Sequence, residues 1–136
     1  MAYGTSITLD RPYPVVVEQV RSALKEQGFG VLTEIDVQAT LHQKLGEQME
    51  PYLILGACNP PLAHRALSAD PSIGLLLPCN VVVRTHEMRT IVEALDPNVM
   101  VEATGNPDLS PVAAEAARRL NAALEAIAGI PDMAGR

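Results

Sequence analysis

Apolar and polar positions alternate from Tyr3 to Leu9, the period of two that a half-buried strand requires. The pattern then changes to a helical one. Val16, Val17, Val20, Ala23, Leu24 and Gln27 recur three and four apart, Pro14 suits a first turn, and Gly28 suits the position just past a helix end. From Gly30 to Asp36 the period returns to two, with Val31, Thr33 and Ile35 expected on one face and Leu32, Glu34 and Asp36 on the other. Asp36 is placed to cap a short helix carrying Val37, Leu41 and Leu45, which Gly46 closes.

The continuous apolar run Tyr52-Leu53-Ile54-Leu55 predicts a central strand, from Pro51 to Cys58, covered on both faces. Asn59 as N-cap and Pro60 as first helical residue open a helix to about Ala69, and Asp70-Pro71 stops it. Gly74 to Arg84 reads as a further strand. Pro78 inside it cannot donate a ladder hydrogen bond, so an edge position or a bulge is expected there. Thr90 to Leu95 pairs with that strand across a turn at Thr85 to Arg89, and residues 96–110 read as a loop with one helical turn. Ser110 as N-cap and Pro111 as first residue begin a last helix, with Val112, Ala116, Leu120, Ala123, Leu124 and Ile127 as its buried stripe. These elements predict an α+β fold: a mostly antiparallel sheet of about five strands with three to four helices packed on it. A single domain over 1–136 is expected, its core spanning about 5–128 and residues 129–136 forming a frayed tail.

Composition narrows the picture. Hydrophobic residues are 48% of the chain, yet there is no Trp and one Phe, so the core must be aliphatic. The net charge of −6 leaves no basic stripe, which argues against nucleic acid or an anionic membrane as partner. The first residues lack a charged and then apolar leader, and the apolar run Ile73 to Val83 is too short and too interrupted to cross a bilayer. A cytoplasmic protein with two reduced thiols is therefore expected.

The residues with chemical potential cluster around those thiols. Cys58 stands between a strand end and a helix N-terminus, whose positive end favours a thiolate, while a small buried cysteine filling a tight corner is the plainer reading. Pro78-Cys79-Asn80 puts kinking and polar residues into an apolar strand, as a bulge or a site would. Cys58 and Cys79, with His64 as third ligand and Glu34 or Asp36 as fourth, would make a metal site, but neither HExxH nor paired CxxC spacing is present. Glu34 and Asp36 share a strand face and could serve acid/base work or hold a cation, the plainer reading being a solvated carboxylate pair that Lys44 screens. Arg84 and Arg89 flank a turn, in an edge-protecting role or gripping an anion. His42 and His86 read as surface residues. No phosphate loop or nucleophile elbow occurs.

Gly28-Phe29-Gly30-Val31-Leu32-Thr33-Glu34-Ile35-Asp36, Lys44-Leu45-Gly46, Tyr52-Leu53-Ile54-Leu55-Gly56-Ala57-Cys58-Asn59-Pro60 and Leu75-Leu76-Leu77-Pro78-Cys79-Asn80-Val81-Val82-Val83 together resemble the domain-of-unknown-function 302 family. The resemblance runs from about Thr5 to Ala128. It implies a compact fold similar to the TATA-box-binding-protein class and makes both cysteines, Asn59, Pro60, Pro78 and Asn80 typical residues, without implying an activity. The candidate site is therefore Cys58, Asn59, Cys79 and Asn80, with His64, Glu34, Asp36 and Lys44 around it. With no complete catalytic set, a non-enzymatic module is expected, without a cofactor. It would dimerise with itself or bind a small molecule in a cleft between sheet and helices; the alternative is a thiol-dependent redox or metal-binding protein.

Overall fold

The computed structural model describes residues 2–132. Five strands, β1 (Gly4–Leu9), β2 (Gly30–Asp36), β3 (Tyr52–Cys58), β4 (Cys79–His86) and β5 (Arg89–Leu95), form one antiparallel sheet in the order β1-β5-β4-β3-β2. The helices are α1 (Tyr13–Glu26), α2 (Val37–Leu45), α3 (Pro60–Ala69), α4 (Val99–Thr104) and α5 (Ser110–Ala128). This is the α+β architecture that the alternating periods predict.

Local signals set most of the boundaries. The Asp36 side chain accepts from Ala39 N at 2.9 Å and so caps α2, and Gly46 ends that helix with φ 70°. Asn59 caps α3 in the same way, accepting from Leu62 N at 3.2 Å. Gly28, at φ 81°, lets the chain leave α1, a conformation that L side chains rarely adopt.

Four expectations are corrected. The stretch before β4 is not strand: Pro71–Leu76 is a 3₁₀ helix, entered from an Asp70 side chain that accepts from Ser72 N at 3.0 Å. Pro78 precedes β4 on a cis peptide bond, and β4 lies in the centre of the sheet rather than at its edge, so every later residue of the strand is free to pair. Arg84 and Arg89 consequently protect no edge, since β4 and β5 are both internal strands. At the other end of the chain, Ser110 is already helical (φ −57°, ψ −46°), because a 3₁₀ turn at Pro107–Leu109 runs straight into α5 and displaces the expected cap.

The sheet is covered on one face. Leu53, Leu55, Ala57, Cys79, Val81, Val83, Val92 and Ala94 pack there against Val16, Val20 and Leu24 of α1 and Leu120, Leu124 and Ile127 of α5. A second cluster, built on Leu62, Ile73, Met100, Leu109 and Val112, fills the space among α3, α4 and α5. The expectation that β3 is covered on both faces is thus half met. Leu53, Leu55 and Ala57 are buried, whereas Tyr52 and Ile54 on the opposite face are half-exposed and belong to neither cluster. Residues Gly129 to Asp132 are held by Arg11, as described below, and the rest of the tail expected to fray, 133–136, lies outside the described residues.

Candidate functional site

Strand pairing brings the two thiols to one corner. Cys79 opens β4 opposite Ala57, so Cys58 is the next residue along the neighbouring strand. Cys58, Asn59 and Cys79 line one cavity, walled by Phe29, Leu62, Leu77 and Met100, with a volume of about 30 Å³. That is room for roughly one water molecule. The cleft between sheet and helices in which a ligand was expected is therefore filled by side chains.

The two thiols differ in their surroundings. Burial, with the neighbouring Cys58 adding to it, pushes the Cys79 thiol up to about 11, so it stays protonated at neutral pH. Cys58 gains little from the start of α3. Pro60 and Pro61 have no N–H, Leu62 N is bound by the Asn59 side chain, and Ala63 N by the Asn59 carbonyl at 2.9 Å. A helix start whose amides are absent or already paired offers no donor to a thiolate. Both cysteines are unbridged.

The other candidates are not drawn into this corner. Asn80 is exposed and belongs to the opposite face, where it pairs with Gly56. His64 is exposed on α3. Glu34 and Asp36 do share a face of the edge strand β2, beside α1, where they help burial to raise the Tyr13 phenol. The ion-pair partner of Glu34 is Arg21, not Lys44, which is exposed on α2. Among the described residues no group of three or more His, Cys, Asp or Glu side chains is placed to hold a metal ion.

The helix-free face of the sheet carries a second candidate. Its register sets out two cross-strand rows, Ile35-Ile54-Val82-Glu93-Ser6 and Tyr52-Arg84-Ile91-Thr8. Arg84 Nε donates to Glu93 Oε1 at 2.8 Å, a bond that holds the guanidinium above its ordinary pKa despite partial burial. Tyr3, Tyr52 and Glu93 line two adjoining hollows. One, of about 210 Å³, adds Asn80, Val82 and Leu95; the other, of about 480 Å³, adds Glu50, Arg84 and His86. Two phenol rings, a fixed guanidinium, an imidazole and carboxylates thus surround one open groove. Sequence reading missed it: alternation puts Tyr52, Arg84 and Glu93 on the faces they occupy, but only the packing of α1 and α5 shows which face is left bare.

Comparison with known proteins agrees with this fold. The model of the family described as "Domain of unknown function DUF302" matches residues 5–127. The crystal structure of uncharacterized conserved protein DUF302 from Bacillus stearothermophilus is similar, with a TM-score of 0.87 and 29% identity over 93% of this chain and 99% of that one. No curated protein sequence matches.

Proposed function

This chain belongs to the DUF302 family, whose description carries no activity, and we propose that it is a non-enzymatic module that binds a small molecule in the groove of its bare sheet face and works as a homodimer. One observation carries the reading: Tyr3, Tyr52, Arg84, His86 and Glu93 converge on a groove of about 480 Å³ while the interior cavity admits about one water. That size falls in the usual range for small-molecule sites, and the lining offers two phenol rings for a planar group, while its guanidinium is already paired with Glu93. A planar ligand without a negative charge fits this chemistry best.

A soluble, cytosolic setting accords with the two unbridged thiols, and no helix among the described residues is long and apolar enough to cross a membrane. Differential scanning of the protein against a library of planar metabolites tests the reading. A ligand that raises the melting temperature of the wild type, with the rise lost in Tyr52→Ala, supports it. A library without a hit, or hits that the variant keeps, removes it.

A further inference from the structure

We infer that the groove selects a planar organic cation, a nitrogen heterocycle with one positive charge, recognised by the phenols of Tyr3 and Tyr52 and the carboxylate of Glu50; this rests on the groove reading above and names its ligand class. Tyr52 opens β3 directly opposite Arg84, and Tyr3 immediately precedes β1, its carbonyl accepting from Asp96 N at 2.9 Å. Glu50 comes from the loop before β3, and that loop is pinned on both sides of it. The Met49 carbonyl accepts from Gln38 Nε2 at 2.9 Å, and the Pro51 carbonyl from Thr85 N at 3.0 Å. Backbone held in this way places the carboxylate on the groove wall before a ligand arrives, so binding need not order the loop.

Charge decides what the groove prefers. Each basic group lining it already faces a carboxylate: Arg84 Nε lies 2.8 Å from Glu93 Oε1, and His86 Nε2 lies 3.7 Å from Glu87 Oε1. Glu50 is the carboxylate left over, with no hydrogen bond or ion pair among the described residues. An anion would find no free cation in the groove and would meet this charge. A neutral ring would gain contact surface alone. A cation gains the carboxylate and the electron-rich rings together, the combination by which aromatic cages hold organic ammonium groups. Charge spread over a planar ring is weakly hydrated, as in a guanidinium compared with an ammonium, so such a cation can lie against a phenol at little desolvation cost. One unmatched carboxylate answers one positive charge, whereas a polyamine would leave its others without a partner. A metal ion is no better served, since among the described residues no group of three or more His, Cys, Asp or Glu is placed to hold one.

Isothermal titration with N-methylquinolinium, quinoline and quinoline carboxylate, three ligands of similar shape and different charge, tests this at mildly alkaline pH. The cation is expected to bind about tenfold more tightly than quinoline, and the carboxylate most weakly. Glu50→Gln should lower the affinity for N-methylquinolinium about threefold and leave that for quinoline unchanged. Glu47→Gln removes the same charge from the same loop outside the groove and should keep the full preference. Tyr52→Leu should weaken both ligands. Equal affinity for the cation and quinoline, or a preference that Glu47→Gln lowers as much as Glu50→Gln, overturns the cation assignment and leaves the groove reading standing. Binding of none of the three at millimolar concentration, or binding that Tyr52→Leu leaves intact, overturns the assignment together with that reading.

Discussion

Arg11 Nε donates to Asp132 Oδ1 at 2.6 Å, an ion pair that joins positions 121 residues apart in the chain. The Arg11 side chain is 1% exposed. Its Nη1 donates to Gln19 Oε1 at 2.8 Å and to the Ile127 carbonyl at 2.9 Å, and its Nη2 to the Ile130 carbonyl at 2.7 Å. The Thr90 hydroxyl in turn donates to the Arg11 carbonyl at 2.7 Å. One guanidinium thereby ties the end of α5 to the link between β1 and α1. Arg11→Met should lower unfolding stability by about 3 kcal/mol, since it removes four hydrogen bonds of one buried guanidinium at once. Asp132→Asn keeps the guanidinium and its carbonyl bonds, so it should cost less than half as much. Urea unfolding of the two variants measures the ratio; equal losses would mean that the clasp is only the ion pair.

This clasp was invisible in the sequence, where Arg11 is one basic residue among ten and the last residues look unanchored. Caps and stops were legible because their partners lie within a few residues: Asp36 with Ala39, Asn59 with Leu62, Gly28 after α1. Strand faces were legible only where the ladder is regular. In β2 the register shifts between Val31 and Thr33, so Val31 packs on the core face with Glu34 and Asp36, whereas Thr33 and Ile35 turn outward; uninterrupted alternation predicts Val31 beside Thr33. A bulge of one residue reverses every side chain beyond it, and nothing in Val31-Leu32-Thr33 announces one. The thiol corner was found, and the shortage of free amides at the start of α3 follows from the two prolines after Asn59, Pro60 and Pro61, once the cap is known.

Cys79 makes stability depend on alkaline pH. Its folded pKa of about 11 lies above the ordinary value of 9.0, so between those pH values the unfolded chain loses the proton and the folded one keeps it. The stabilisation is whole below pH 9, falls as pH rises through this window and is gone above about pH 11. At 1.36 kcal/mol per unit the loss is about 2–3 kcal/mol. Cys79→Ala should flatten that part of the stability curve, and mass mapping after iodoacetamide at pH 8 should find Cys79 unmodified until the protein unfolds. Equal labelling of Cys79 in native and unfolded protein would show that it is not shielded.

The hairpin between β4 and β5 turns through Glu87 and Met88, at φ 50° and 69°. Two successive residues at positive φ make the turn type that matches strand twist, which normally carries Asn-Gly. Met88 is 92% exposed, so no packing compensates its backbone. Glu87→Asn with Met88→Gly should therefore stabilise the protein by about 1–2 kcal/mol. The gain is read as a higher urea midpoint at unchanged slope, and a lower midpoint would mean that the exposed Met88 side chain contributes contacts.

Gly56 is the position where the bare face admits no side chain. A Cβ built there overlaps Thr33 Oγ1 and comes within 2.7 Å of Pro78 Cγ, so the edge strand and the residue entering β4 meet directly over this glycine. Neither neighbour can withdraw easily: Thr33 is Gly56's ladder partner, and Pro78 is tied to Cys79, which is paired in the central strand. Gly56→Ala must then push β2 from β3 or shift the start of β4, an overpacking that costs about 2–3 kcal/mol. The damage should be local in kind. Amide exchange should quicken at the β2–β3 ladder around Thr33 and at the start of β4 near the cysteines, while the α1–α5 contact keeps its protection. Cys79 then gains solvent, and its iodoacetamide labelling should begin below the unfolding transition. An alanine tolerated without loss of stability would mean that Thr33 and Pro78 do not hold these positions, and with them the close β2–β3 contact that sets Ile35 beside Ile54 on the bare face.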